Sequence, residues 1–236
     1  MPIAYSQGFT PHPKISYASA APTGVASEDE YLEIGLQAVV DPVEVREALD
    51  RALSPGLDVL DVIDAGTGDS LADRIDASAW RIELPEVTFE RLGEAVAAFV
   101  AADEVLVERL TKQGRRQFDA RGAVVWITAG ADRSAPFRAP GMPAGNGPPA
   151  IDGAPGATVA APCAILDLVV RQVIPSVRPD DVLVGLRVVV DLEPPVPPRV
   201  IRLAQGRLTA QGEIVDPFVT DDEPINDGAL VGGTSE

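Results

Sequence analysis

The feature that most limits the possible folds is a run of seven prolines between residues 131 and 162, set among repeated glycine and alanine. Proline lacks a backbone N–H donor and breaks helix interiors and central strands. The stretch therefore cannot form a packed element, and we predict a flexible insertion at 131–161. The elements on its two sides then belong to one folded unit that the insertion interrupts.

Strands and helices follow one another in a regular order in that unit. Apolar spacing predicts strand, helix and strand before the insertion, and the same order after it. The predicted elements are a strand at 80–84, a helix capped by Thr88, a strand at 104–110, an extended run at 118–128, a strand at 164–173, a helix opened by Pro179 and a strand at 199–204. This order matches a ferredoxin-like sandwich.

An incomplete version of the same motif precedes it. Residues 5–17 read as an extended arm, 30–36 as a strand, and 57–63 as a short strand. Between the strands, Asp41 and Pro42 start a helix, since an acidic cap followed by proline is typical of helix beginnings. We therefore predict an α+β fold of tandem ferredoxin-like sandwiches, the first incomplete. The predicted boundaries are a partial unit at 1–64, a linker at 65–78, the second unit at 79–212 and a disordered acidic tail at 213–236.

Composition excludes several classes of protein. Cys163 is the only cysteine, which rules out an internal disulfide and a multi-cysteine metal site, and we expect it to be a buried thiol. No metal and no cofactor is predicted. No apolar run approaches the ~20 residues of a membrane span, and no signal peptide is visible, so we expect no membrane partner and a cytoplasmic location.

The formal net charge of −17 would repel nucleic acid unless basic residues cluster locally. They do so around a predicted turn at 112–116, where bases could hold a phosphate backbone. The alternative is a solvated turn whose arginines pair with the excess carboxylates. The candidate RNA- or anion-binding residues are Lys14, Arg109, Lys112, Arg115, Arg116, Arg121, Arg171, Arg178 and Arg202.

The arm at 5–17 is chemically unusual, because no carboxylate occurs before Glu28 and His12 is the only histidine of the chain. His12 is either a general acid/base or phosphate contact, or a group whose hydrogen bond pins the arm. We favour the second, since no partner group is identifiable by spacing. The segment 176–181 is interpreted as a helix start stabilised by Pro179 and acids, rather than a metal or anion site.

Several motifs, spread in order over residues 3–207, carry a family resemblance. In the arm these are Tyr5, Ser6, Gln7, Gly8, Phe9, His12 and Pro13, and the others are Gly24-Val25, Glu30–Leu32, Lys112–Arg116, Asp119–Arg121, Arg171–Val173, Pro175–Asp181 and Arg202–Gly206. The chain resembles the domain that follows cobalamin-type radical SAM proteins or stands alone as a radical SAM-linked protein. Members of that family usually carry one further strand and helix before the arm, about thirty residues.

The resemblance implies a link to radical SAM chemistry, which this chain cannot perform alone because the cluster needs three cysteine thiolates. We expect a non-catalytic accessory module in RNA modification, RNA processing or a ribosome-related setting. The candidate partners are a radical SAM protein or RNA-processing or ribosomal machinery, RNA itself, and a second copy bound through the incomplete first unit. The alternative is a metal-independent RNA-cleaving enzyme that uses His12, by analogy of fold with CRISPR RNA endonucleases.

Overall fold

The computed structural model describes residues 2–66, 69–112, 114–137 and 161–219. These residues form a mixed α+β structure, which confirms the predicted class. Most of the predicted insertion (138–160) and of the predicted tail (220–236) lie outside the described residues. The described residues of both segments do contact the fold, since 131–137 pack on the main sheet and Ile214–Val215 form its last strand.

The N-terminal unit contains three short strands and one helix. They are β1 (Ile15–Ala18), β2 (Ala26–Ser27), β3 (Tyr31–Ile34) and α1 (Pro42–Ala52). Strands β1 and β3 pair antiparallel, with Tyr17 opposite Leu32. Helix α1 begins as predicted, because the Asp41 carboxylate accepts a hydrogen bond of 2.8 Å from the Val43 N–H.

The predicted strand at 57–63 is wrong. These residues have no strand partner among the described residues, and the Val59 N–H instead donates to the Asp50 carboxylate at 3.2 Å. A short apolar run predicts a strand only if a second strand is available to pair with it. The described N-terminal residues therefore show no second four-stranded sheet, and the tandem layout is not confirmed.

The main unit holds the larger sheet. Its elements are β4 (Ala77–Pro85), α2 (Phe89–Ala101), β5 (Leu106–Thr111), β6 (Gly114–Asp119), β7 (Val124–Gly130), β8 (Cys163–Arg171), α3 (Pro179–Val190), β9 (Arg199–Leu208) and β10 (Ile214–Val215). The strand order is β10-β9-β4-β8-β7, with β2 added in parallel on β9. All neighbours on the main path are antiparallel. Strand β4 is therefore central, paired along its length on both sides.

Strands β5 and β6 form a separate hairpin rather than joining the sheet. The predicted extended run at 118–128 is broken by a turn at 120–123. The Asp119 carboxylate causes the break, because it accepts hydrogen bonds from the N–H groups of Val105, Arg121 and Gly122 at 2.8–2.9 Å. An acceptor that satisfies several successive amides stabilises a turn in place of a strand.

Helices α2 and α3 cover one face of the sheet. Ile82 and Leu166 of the sheet and Phe99 and Leu186 of the helices are fully buried in one apolar cluster. The opposite face has a smaller cluster around Val169 and Ile201, on which Trp126 and Phe137 pack. The predicted linker at 65–78 also packs, since Leu71 and Ile75 are buried beside Ala18.

Helix packing at Gly185 gives a stability prediction. A Cβ at this position would lie 2.8 Å from the Phe99 ring and 3.2 Å from the Val105 side chain. We expect Gly185→Ala to destabilise the fold by about 1–3 kcal/mol, because both neighbours are buried and cannot yield freely. Urea unfolding followed by circular dichroism measures the change.

Gly93 in α2 provides the matched control. Apart from the backbone of α2 itself and the two adjacent residues, no atom lies within 4 Å of the place where its Cβ would be, so Gly93→Ala should stabilise the protein by up to about 1 kcal/mol through helix propensity alone. If the two variants changed stability equally, the close packing of α3 on α2 at Gly185 would be refuted.

Candidate functional site

The hairpin of β5 and β6 places two arginines directly opposite each other. In its register Arg109 faces Arg116, and Val107 faces Phe118 on the buried side. The turn closes through Gly114, whose φ of +112° is accessible to glycine, and through the Thr111 hydroxyl, which donates to the Gly114 carbonyl at 2.8 Å. Like charges opposite each other across strands are destabilising unless a counter-charge is supplied.

Asp181 of α3 supplies that charge to Arg109 alone. The Arg109 guanidinium donates to both Asp181 carboxylate oxygens, and it also reaches the Ser176 carbonyl at 2.9 Å. Its other face lies over the Phe118 ring, 4.9 Å from the centroid. The same carboxylate accepts the Arg178 N–H at 2.7 Å. One buried acid therefore fixes the hairpin to the beginning of α3.

The other bases of the hairpin and of the beginning of α3 face solvent. Lys112, Arg116 and Arg178 are exposed, and none forms an ion pair with a carboxylate in the part of the chain that the structure describes. Arg115 pairs with Glu108 at 2.6 Å, but both side chains are largely exposed, so this pair contributes little. Arg115 lies on the other side of the hairpin, because it is opposite Leu110, so we call Arg109, Lys112, Arg116 and Arg178 the basic hairpin face. It has an unbalanced positive charge in a strongly acidic protein.

Arg202 does not belong to this face, which corrects its prediction as an anion-binding residue. Its side chain is only 2% exposed and forms an ion pair with Glu30. It also donates to the Ser27 hydroxyl at 3.2 Å and to the Ser19 carbonyl, and it lies over the Trp80 ring. Arg202 therefore joins the N-terminal unit to the main sheet.

The remaining predicted bases are dispersed. Arg121 lies in the turn after β6 and donates to the Val124 carbonyl at 3.2 Å, while Arg171 is exposed at the end of β8. Lys14 lies in the arm, where its backbone N–H donates to the Ala4 carbonyl at 2.8 Å. The structure therefore brings four of the nine predicted bases together on one face.

The arm is pinned through the backbone of His12 rather than through its ring. The Ser6 N–H donates to the His12 carbonyl at 2.8 Å, and the His12 N–H donates to the Ser6 hydroxyl at 3.0 Å. No described residue forms a hydrogen bond with the imidazole, which is exposed. A general base needs a group that orients its ring, and the described residues supply none.

An ion cluster on the other face of the sheet escaped the sequence analysis. Arg81, 2% exposed, donates to both Asp167 oxygens at 2.7 Å and to the carbonyls of Arg133 and Ala135 at 2.8 and 2.9 Å. Burial raises the pKa of the Asp167 carboxyl, although hydrogen bonds from Arg81 oppose this. The same hydrogen bonds raise the pKa of Arg81. The only sequence signal was a charged residue inside an apolar strand.

Cys163 is exposed at the beginning of β8, so the prediction of a buried thiol is wrong. Partial desolvation, and to a smaller extent the nearby Glu83 carboxylate, raises the pKa of this thiol. A thiol with a raised pKa has less thiolate at neutral pH and is a poor nucleophile.

No group of three or more metal-ligating side chains occurs among the described residues. None of the described helices is both long and apolar enough to cross a bilayer.

A family model of uncharacterized proteins conserved in bacteria, DUF2344, matches residues 1–179. The chain belongs to the DUF2344 family. No curated protein and no solved structure matches it. The family match includes the arm, the hairpin and β8, and it ends at the first residue of α3. The DUF2344 description names no activity, so a link to radical SAM proteins stays a prediction.

The contact between the hairpin and α3 gives a second stability prediction. Asp181→Asn should destabilise this DUF2344 protein by about 2–3 kcal/mol, because the half-buried Arg109 loses its counter-charge. Chemical unfolding measures the loss. Asp180→Asn is the matched control, since Asp180 is an exposed acid in the same helical turn and its loss should cost less than about 1 kcal/mol. Equal costs would mean that the Arg109 pair contributes no specific stability.

Proposed function

We propose that this protein is a non-catalytic accessory module that holds RNA, or an RNA-containing assembly, for a radical SAM enzyme. The radical SAM link rests on the family resemblance. The RNA contact rests on one observation, the excess of positive charge on the basic hairpin face. Arg109 and Arg116 are direct cross-strand neighbours, and the buried acid Asp181 pairs with Arg109 and with the Arg178 backbone.

A bound phosphate would offset the electrostatic repulsion between Arg109 and Arg116, because Asp181 compensates the charge of Arg109 only. Arg116 faces solvent beside the already engaged Arg109, and Lys112 lies at the turn of the same hairpin. A phosphate oxygen placed between them would accept charge-assisted hydrogen bonds, which are about twice as strong as neutral ones. Such contacts position a nucleic acid without reading its sequence. This suits a module that presents a substrate to another enzyme.

The interpretation of the main unit as a ferredoxin-like fold is part of the proposal. In chain order, β4, β7, β8 and β9 are the four strands of a β-α-β-β-α-β unit, and their spatial order is 4-1-3-2. Both helices cover one face, as in that motif. We propose that the N-terminal unit is an incomplete second copy of it. The support is that β1, β3 and α1 occur in the order predicted for the last part of the motif.

A protein partner fits the N-terminal unit. Six large aliphatic side chains of α1 and its flanking segments are exposed, namely Val39, Val43, Leu53, Leu57, Leu60 and Ile63. Exposed apolar surface, where it is contiguous, marks protein interaction sites, and all six residues lie within 39–63. We propose that it binds a protein, either the radical SAM enzyme or RNA-processing or ribosomal machinery. A second copy of this chain is the competing occupant.

The RNA proposal is tested by charge reversal. Arg116→Glu should weaken binding of a fluorescein-labelled single-stranded RNA, and the slope of log affinity against log salt should fall by about 0.7 for each lost phosphate contact. Fluorescence anisotropy from low to high salt measures both. Arg187→Glu is the matched control, because it makes the same charge change on an exposed arginine near the other end of α3. If both variants lost affinity equally, the hairpin would not be the RNA contact.

The isolated His12 gives the test against the enzyme alternative. We expect the purified protein to leave RNA intact with or without chelator, and His12→Ala to bind RNA as the wild type does. The reason is that no described group orients the imidazole. Denaturing gel electrophoresis of end-labelled RNA measures cutting. Metal-independent cleavage that His12→Ala abolishes would replace the accessory proposal with the RNA-cleaving alternative.

A further inference from the structure

The arm is a fixed projection from the N-terminal unit. Residues 4–14 fold back on themselves, with Tyr5 bridged to Pro13 and Ser6 bonded to His12. The Ala4 N–H also donates to the Gly35 carbonyl at 2.7 Å, which fastens the arm to the end of β3. Its backbone is therefore held in place before any ligand binds, and this lowers the entropic cost of binding.

Aromatic rings are concentrated on this projection and on the strand that continues it. Among the described residues, four aromatic side chains are exposed, and three of them are Tyr5, Phe9 and Tyr17. Phe9 is fully exposed, and Tyr17 is 66% exposed. An aromatic ring carries no charge, so a flat ligand that covers it displaces only weakly bound water. Exposed rings are therefore suited to stacking.

The charge around these rings selects the kind of ligand. The first 27 residues contain Lys14 but no carboxylate, in a chain of net charge −17. A segment that combines exposed rings with a cation, and has no acid of its own, resembles the pattern used for unpaired nucleobases, where bases stack on rings and the backbone contacts cations. The exposed groups around α1 are aliphatic instead, which suits a protein.

One loop connects this surface to the basic hairpin face. At one end of the loop, the Gln172 side chain donates to the Ser19 hydroxyl at 2.9 Å, two residues after Tyr17. At the other end, Arg109 donates to the Ser176 carbonyl. Because only three residues separate Gln172 from Ser176, the Cα atoms of these two residues are at most about 14 Å apart. A single RNA strand can therefore meet both surfaces.

We propose that Tyr5, Phe9 and Tyr17 form a stacking site for the unpaired bases of single-stranded RNA whose phosphates lie on the basic hairpin face. The inference rests on the proposed function and adds its substrate class. Bases must be unpaired to stack on protein rings, so the site discriminates against duplex. Stacking is also tolerant of sequence, because every base has a flat face.

The test compares ring removal with charge removal. Phe9→Leu and Tyr17→Leu keep apolar surface but remove the ring, and both positions are exposed enough for the fold to persist, which circular dichroism checks. We expect the double variant to bind a labelled 12-nucleotide single strand at least fivefold more weakly, with an unchanged salt slope. Binding of a 12-base-pair duplex should not change. Phe9→Trp should bind the single strand at least as tightly as the wild type.

The outcomes separate this inference from the proposed function. If the leucine variant bound the single strand like the wild type while Arg116→Glu weakened it, the stacking site would be refuted and the hairpin contact would stand. If the wild type bound no RNA at any salt concentration, the RNA contact of the proposed function would fail, and the stacking site with it. A variant that lost a protein partner but kept RNA affinity would show that the rings dock protein, which also overturns the inference.

Discussion

The buried guanidinium of Arg202 is the contact on which the arrangement of the two units depends. The N-terminal unit has a very small core, with Ala18, Leu71 and Ile75 as its fully buried apolar cluster. So small a core cannot hold a unit in place by the hydrophobic effect alone. Polar contacts do so instead, since Arg202 binds Glu30 and the Ser19 carbonyl, and the Gln205 N–H donates to Asp29 at 2.6 Å. The position of the arm relative to the hairpin follows from these bonds.

Local signals predicted the helices and the hairpin well. Asp41, Thr88 and Pro179 all stand at the helix starts that the sequence indicated, because capping depends on neighbours within one turn. The errors came from interactions distant in sequence. The strand at 57–63 failed for want of a partner, and the break after β6 depends on one carboxylate that binds several amides. Pairing and turn chemistry of this kind are not visible in periodicity.

The candidate site was predictable in its residue types but not in its geometry. The basic cluster at 109–116 was evident from charge, whereas Asp181 had been interpreted only as an acid that stabilises a helix start. It has that role and also pairs with Arg109 across 72 positions. Arg202 was grouped with solvent-facing bases because sequence does not distinguish a buried arginine from an exposed one. Only the fold distinguishes Arg116, which is free to bind an anion, from Arg109 and Arg202, which are already paired with carboxylates.

The anchoring of residues 131–137 has a consequence for how members of the family can diverge. Arg81 holds the carbonyls of Arg133 and Ala135 on one side of the excursion between β7 and β8, and the Glu86 N–H holds the Pro162 carbonyl on the other. Both attachment points belong to β4 or to the residue that follows it, since Arg81 lies inside the strand and Glu86 comes directly after it. The pairing of the sheet strands therefore does not depend on how many residues lie between these two points. Doubling the length of a connection costs only about 0.6 kcal/mol in closure entropy. Evolution can lengthen, shorten or replace that stretch while the sheet register stays fixed.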